Sequence, residues 1–321
     1  MSFFVHPAAA ASTANDLGPT VSLLVENDYF AKGNDDRNFT NGVQAQWIAR
    51  PGRGPSVLHD IGRFLSPDEA NAETRAVYGF GQRIYTPDII TTAIPDPNDR
   101  PYGAFLYGSF GVLANTNDRQ LDAFSLTIGL TGPNAQGDEI QRFVHRATGA
   151  RPPRGWDAQI DDGFAFEMEW RRIYRRKVWG EDQGWSADIL PHAVARIGNL
   201  TTEAGLGGTL RVGRNIPIDF GPPNTRPGAP GSGYQRPVAS FGWYVFGGVT
   251  GRYVARNLFL DEPSALGESV TREPFTGECV AGLAFNIDGV QIAYTHVWRA
   301  QEFEEEIGAS KIGALSLTVN F

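Results

Sequence analysis

The chain has 321 residues, of which 41% are hydrophobic and 20% charged, a balance that excludes a disordered composition. A net charge of −8 argues against a phosphate-tracking nucleic-acid binder, and the single Cys279 excludes an intramolecular disulfide or a cysteine-based zinc site. No run of about eighteen apolar residues occurs, so no transmembrane helix is expected.

Residues 1–18 read as an N-terminal tail or the remnant of a clipped signal: "MSFFVHPAAAAS" lacks a basic start but ends in an A-x-A-like patch, Ala8 to Ala11. From residue 19 to 321 the chain reads as one all-β domain. Period-two alternation is clear in Phe124, Leu126, Ile128 and Leu130, in Phe164, Phe166, Met168 and Trp170, and in Leu315, Leu317, Val319 and Phe321. About twelve such segments follow one another, near 19–30, 40–50, 74–86, 102–114, 119–131, 160–175, 183–198, 202–214, 238–260, 272–287, 289–303 and 309–321. Several exceed ten residues, and about nine to eleven tilted residues span a bilayer. With 12% aromatics and seven Trp, the pattern predicts an antiparallel transmembrane β-barrel with a polar lumen and a lipid-facing apolar surface. A soluble sandwich or barrel with its apolar faces inward is the competing architecture. Two Gly/Pro-rich stretches, 51–73 and 221–237, read as long loops, and no internal repeat is present.

The first strand turns polar at its tip, Glu26-Asn27-Asp28. These side chains supply the hard oxygen donors that calcium prefers, and Asp35, Asp36, Thr40 and Asn41 could add to them. The EF-hand pattern is absent. Strict alternation sets Glu26 and Asp28 on one face and Asn27 on the other, so a site using both Asn27 and Asp28 requires a bulge or a strand end there. A solvated hairpin tip explains the same residues without a metal.

One segment breaks the strand pattern. In "GDEIQRFVHRATG" (137–149), Ile140, Phe143, Val144 and Ala147 have helical spacing. Asp138 and Gln141 have the spacing of a capping box, and Gly149 before Pro152 and Pro153 ends the element. The expected helix, about 137–148, would pack its apolar residues on the barrel while Gln141 and His145, one turn apart, border a cleft. A neutral His145 can take a proton from water, though an ordinary surface histidine fits the spacing too. His6, His59, His192 and His296 show no metal-binding spacing, and His296 in "IAYTHVW" reads as a wall residue. No G-x-S-x-G is present; for a hydrolase, water activated by His145 would fit better than a serine nucleophile.

These pieces together resemble the outer-membrane lipid A deacylases, the 3′-O-deacylases of lipid A. The resemblance runs through most of the chain. It rests on "ENDYF" (26–30), "DRNFTNG" (36–42), "DRPYGAFLYG" (99–108), "GPNAQGDEIQRFVH" (132–145), "GWDAQI" (155–160), "NLFLDEPS" (257–264), "WRAQEF" (298–303) and "ALSLTVNF" (314–321). It implies a twelve-stranded barrel in the bacterial outer membrane with a helix in an extracellular loop, and a calcium-dependent hydrolase that removes the 3′-linked acyloxyacyl chain of lipid A. Carried over, the catalytic histidine falls on His145 and its helix partner on Gln141, with Asn27, Asp28 and Thr40 completing the site. Glu26, Asn27 and Asp28 become the candidate Ca²⁺ ligands, and Arg100 a candidate contact to a substrate phosphate. The implied partners are lipid A and the surrounding outer-membrane lipids, with no nucleic acid. Phe39 stands where the family usually has Tyr, Ala300 where Thr is expected, "LDEPS" replaces a Gly-containing loop, and Asp161-Asp162 stand where Asn-Glu is common; these departures bear on substrate preference more than on chemistry. The competing functional reading is a non-catalytic barrel, a pore or ligand-binding protein; a soluble carbohydrate-binding module is a third.

Overall fold

Along the strands the burial pattern is inside out for a water-soluble protein. Leu23, Val25, Val43, Trp47, Leu315 and Leu317 are exposed, while the residues interleaved with them, Ser22, Glu26, Gln44, Gln46, Ser316 and Thr318, are buried. Apolar side chains that face outward all around a sheet are stable only where the solvent is lipid, which rules out the soluble sandwich and the soluble module. The computed structural model describes residues 18–31, 38–66, 68, 72–221, 234–267, 269–306 and 308–321.

The strands are β1 (Thr20–Asn27), β2 (Asn38–Ile48), β3 (Ala72–Thr86), β4 (Gly103–Thr116), β5 (Gln120–Thr131), β6 (Gly163–Tyr174), β7 (Arg176–Gly180), β8 (Trp185–Gly198), β9 (Thr201–Arg214), β10 (Ile218–Asp219), β11 (Gln235–Arg236), β12 (Phe241–Asn257), β13 (Phe275–Ile287), β14 (Val290–Arg299) and β15 (Ser310–Asn320). Twelve of them close an antiparallel barrel. The first strand pairs with the last, Thr20 opposite Asn320, and the ring is completed by β6 on β8, Glu167 opposite Gly198. The short β7 extends the β8 edge, and β10–β11 form a separate two-stranded ribbon. Each predicted strand segment lies within a few residues of a barrel strand. The 221–237 stretch leaves β10 and returns as β11; its residues 222–233, like 1–17, lie outside the described residues.

The lumen is filled. Arg196 of β8 sits between Glu167 at 3.4 Å, Glu169 and Glu203; Arg252 lies 3.1 Å from Glu278; and Arg211 holds Asp188 at 2.6 Å and Asp219. Each charge is buried beside an opposite one, as desolvation demands. Toward the rim where β1 begins and β15 ends, the lower rim here, an apolar cluster sits in the bore: Ile48, Val77, Leu113, Leu121, Ile173 and Leu190 pack with Phe220 and Tyr234 from the flanks of the ribbon.

Helix α1 (Ser56–Leu65) lies in the stretch read from sequence as a loop. Short, Pro-preceded and without a side-chain cap, it has little local signal. It is held by tertiary contact: Gly62 abuts Val112 and Thr74 on the outer wall, and His59 Nδ1 is 2.8 Å from Thr74 Oγ1. The upper rim carries the 132–162 connection, with helix α2 (Gly137–Thr148), and the single-turn helix α3 (Leu258–Asp261).

Candidate active site

Helix α2 has the length predicted, but it is turned over. Its buried residues are Gly137, Gln141 and His145, while Ile140 and Phe143 are exposed, Phe143 by 63%. The expectation that the apolar stripe packs on the barrel is therefore corrected. The helix lies on the outside of a membrane barrel, with its apolar face turned outward and its polar face to the wall. The capping box is not formed either. The helix starts after Gln136 in the left-handed region, without a side-chain cap, and Asp138 instead pairs with Arg142 one turn on. Gly149, at φ 74, ends the helix as expected, its position open only to a residue tolerant of positive φ.

The helix is seated on outward-facing residues of β3 and β4. Ile84, Tyr102 and Ala104 pack with Ala135 and Trp156, and Gln82 Nε2 donates to the Ala135 carbonyl at 2.6 Å. A Cβ on Gly137 would meet Ala104 Cβ at 2.6 Å and the Trp156 ring at 2.4 Å, so the helix start rests directly on the wall. This contact holds Gln141 and His145 against the barrel.

Both side chains are oriented. His145 Nδ1 contacts the Arg151 carbonyl, which can only accept, so Nδ1 carries the proton and Nε2 is the basic nitrogen of the neutral ring. Trp156 Nε1 donates to Gln141 Oε1 at 2.7 Å. That bond fixes the amide, so Gln141 Nε2 is turned the other way, buried and without a hydrogen-bond partner among the described residues.

On the facing side, β1 ends at Asn27 and Asp28 opens a 3-10 turn, Asp28–Ala31. The strand end resolves the alternation problem posed by the sequence: Asn27 Oδ1 and Asp28 Oδ1 both accept from the Tyr29 N–H at 2.8 Å, so the two oxygens converge. Thr40 is the extra residue of a β-bulge between Phe39 and Asn41, and its hydroxyl is 2.6 Å from that of Thr86 at the end of β3.

Register brings the two halves together. Asn27 pairs with Asn41, Asn41 with Ile84 and Ile84 with Ala104, one row across four strands on the outer face. Helix α2 covers the Ile84–Ala104 end of that row, and Asn27 lies two strand spacings from Ile84, about 10 Å. The Asn27–Asp28 turn, Thr40 and the His145–Gln141 face thus border one stretch of lipid-facing wall.

Two predicted site residues stand apart. Glu26 pairs with Gly42 inside the barrel, where its carboxylate would meet a Cβ on Gly42 at 2.7 Å. Strand alternation sends it to the lumen and away from Asn27, so it is no ligand of an outward site. Arg100 is fully buried, 3.6 Å from Glu302 and over the Tyr85 ring at 5.0 Å. A phosphate outside the barrel does not reach it there; it ties the rim loops to the wall. Near it, burial pushes the rim carboxyls of Asp99 and Glu306 above the ordinary range. Asp35 and Asp36 lie outside the described residues. Among the described residues no three His, Cys, Asp or Glu side chains cluster as a metal site. Trp156 and Thr86 were not singled out from the sequence. Trp156 stood within the quoted "GWDAQI", whereas Thr86 has no local signal, because only the bulge at Thr40 gives it a partner.

Solved structures share this architecture. LpxR from Salmonella typhimurium superposes with a TM-score of 0.77 at 18% identity, over 94% of this chain and 100% of that one. Looser likenesses are the β domain of the Bordetella autotransporter BrkA (TM-score 0.43, 10% identity, 95% of this chain and 99% of that one) and the translocator domain of NalP from Neisseria meningitidis (0.40, 9%, 96% and 90%). No curated protein matches the sequence. The family model described as outer membrane protein LpxR matches residues 1–321. With the barrel closed, its apolar face outward and the match running the full length, the chain belongs to the LpxR family of outer membrane proteins.

Proposed function

We propose that this protein is an outer-membrane lipid A deacylase that hydrolyses the ester of the 3′-linked acyloxyacyl chain, with His145 as general base. The observation that carries the proposal is the inverted helix: a histidine with its Nδ1–H held by a backbone carbonyl is buried against the lipid-facing wall, beside an Asn-Asp turn. A lipid with several acyl chains reaches such a site from the membrane without leaving it. Membership of the LpxR family and the resemblance to lipid A 3′-O-deacylases support the substrate class.

The donor set fits a calcium ion. Asn27 and Asp28 offer an amide and a carboxylate oxygen on the same side of the turn, both hard ligands, and Asn27 and Asp28 would hold it. When bound, calcium polarises the ester carbonyl. The protein's own residues do the rest. His145 Nε2 takes a proton as the water oxygen bonds to the carbonyl carbon. Gln141 Nε2 donates to the carbonyl oxygen as that oxygen gains charge. The bond from the carbonyl carbon to the sugar 3′ oxygen then breaks, and His145 returns the proton to that oxygen. Thr40, braced by Thr86, holds the strand bulge beside the turn.

The test is mass spectrometry of lipid A incubated with the detergent-refolded protein, with calcium and with chelator. Loss of one acyloxyacyl group only with calcium is expected. No mass change in either condition would overturn the reading.

A further inference from the structure

On the side of Asn27 away from helix α2, the same outward row continues. Asn27 pairs with Gly313 of β15, and Gly313 with His296 of β14. The turn that carries Asp28 folds back over this part of the wall. A Cβ on Gly313 would lie 2.5 Å from Phe30 Cβ and 2.8 Å from the Phe30 carbonyl carbon, so the turn sits on the strand at a distance that only glycine permits. Tyr294, which faces outward between the inward Ala293 and Thr295, donates its hydroxyl proton to the Phe30 carbonyl at 3.0 Å. With that proton committed, the 3.2 Å contact between Tyr294 Oη and His296 Nδ1 is a bond donated by the imidazole. The His296 ring lies against Trp298 with centroids 4.2 Å apart, and its Nε2 has no hydrogen-bond partner among the described residues. The imidazole is therefore directed at Tyr294.

The turn Asp28–Ala31 is thus tied at two points. The Tyr29 N–H binds it to the side chains of Asn27 and Asp28, and Tyr294 binds its far end to the barrel. We infer that Tyr294 and Gly313 are positioning residues that fasten the Asp28 turn to the outer wall, setting the Asn27–Asp28 oxygens in place for calcium, with His296 orienting Tyr294. This rests on the reading of Asn27 and Asp28 as the calcium ligands. The role is mechanical: each residue acts through Phe30.

The test uses the full-length refolded protein with Tyr294→Phe and Gly313→Ala. Calcium binding to the metal-free protein is measured by calorimetry, and the calcium concentration for half-maximal ester hydrolysis is measured alongside. Loss of one hydrogen bond in Tyr294→Phe should weaken calcium binding about threefold to tenfold. Gly313→Ala, which pushes the turn outward, should weaken it at least as much. Saturating calcium should restore kcat, with KM for the lipid and the thermal unfolding of Tyr294→Phe unchanged, a split that a general loss of structure would not produce. Amide exchange at 28–31 in the metal-free protein should quicken in both variants. Calcium affinities within twofold of wild type in both variants, or unchanged exchange at 28–31, would overturn the inference alone. A wild-type protein that binds no calcium would overturn the metal reading and the inference with it.

Discussion

At the level of single residues, the site depends on orientation as much as on identity. In the proposed mechanism His145 can serve as the base because the Arg151 carbonyl holds its Nδ1–H and leaves Nε2 to take the proton. Replacing His145 with Ala should lower ester hydrolysis by about 10²–10⁴-fold, measured as initial rates on lipid A with the variant folded. Near-full activity would remove His145 from the mechanism. Gln141 is oriented in the same way by Trp156, whose indole N–H bonds Oε1 and turns Nε2 the other way. Trp156→Phe frees the amide to rotate, so kcat should fall by roughly tenfold with little change in KM. A rise in KM alone would point to a packing role instead. Asn27, Asp28, Gln141 and His145 were singled out from the sequence, although a hairpin tip and a surface histidine fitted the spacing equally and the resemblance supplied their roles. Trp156 was visible only as part of a motif, and Thr86 not at all, because a hydroxyl pair across a bulge leaves no local pattern.

Helix α2 shows how an element can be read correctly and placed wrongly. Its periodicity predicted its length and its end at Gly149, but periodicity says only that two faces differ. Which face meets the barrel depends on the solvent around it. In water the apolar stripe would pack inward; here Phe143 and Ile140 face out, and Gln141 and His145 face the wall. An apolar stripe that faces out from a membrane barrel is expected to meet acyl chains. Phe143→Glu should therefore lower the rate on substrate embedded in vesicles by about tenfold or more, by removing apolar burial. Its rate on detergent-dispersed substrate should stay near wild type. Equal losses in both assays would show that the stripe has no membrane role. Helix α1 escaped the sequence reading for the opposite reason: it is short and uncapped, and contact with Thr74, Val112 and Ala114 on the wall holds it.

For the molecule as a whole, the barrel wall is the scaffold and the lumen its core. Arg196, Arg211, Arg252 and Arg299 are buried among Glu and Asp side chains, and the lower end is plugged by Phe220, Tyr234 and their apolar neighbours. These ion pairs and the apolar cluster stand across the bore. Purified protein in planar bilayers should show no steady ionic conductance; stable open channels would revive the pore reading. The site proposed here lies on the outer face, along the row that joins the Asn27–Asp28 turn and Thr40 to the seat of α2.

The approximate strand count, the barrel and its outward apolar face were already present in the chain, because alternation with period two over ten or more residues has few stable outcomes in lipid. Tertiary structure decided the rest. Closure sent Glu26 into the lumen and left Asn27 outside, since one residue along a strand reverses the face. Folding of the rim loops buried Arg100 against Glu302 and Tyr85. Register placed the β1 tip two strands from the helix seat, and Gly313 beneath Phe30, contacts between residues far apart in the chain. Such juxtapositions follow from how strands pair around a closed ring, and no local pattern of residues encodes them.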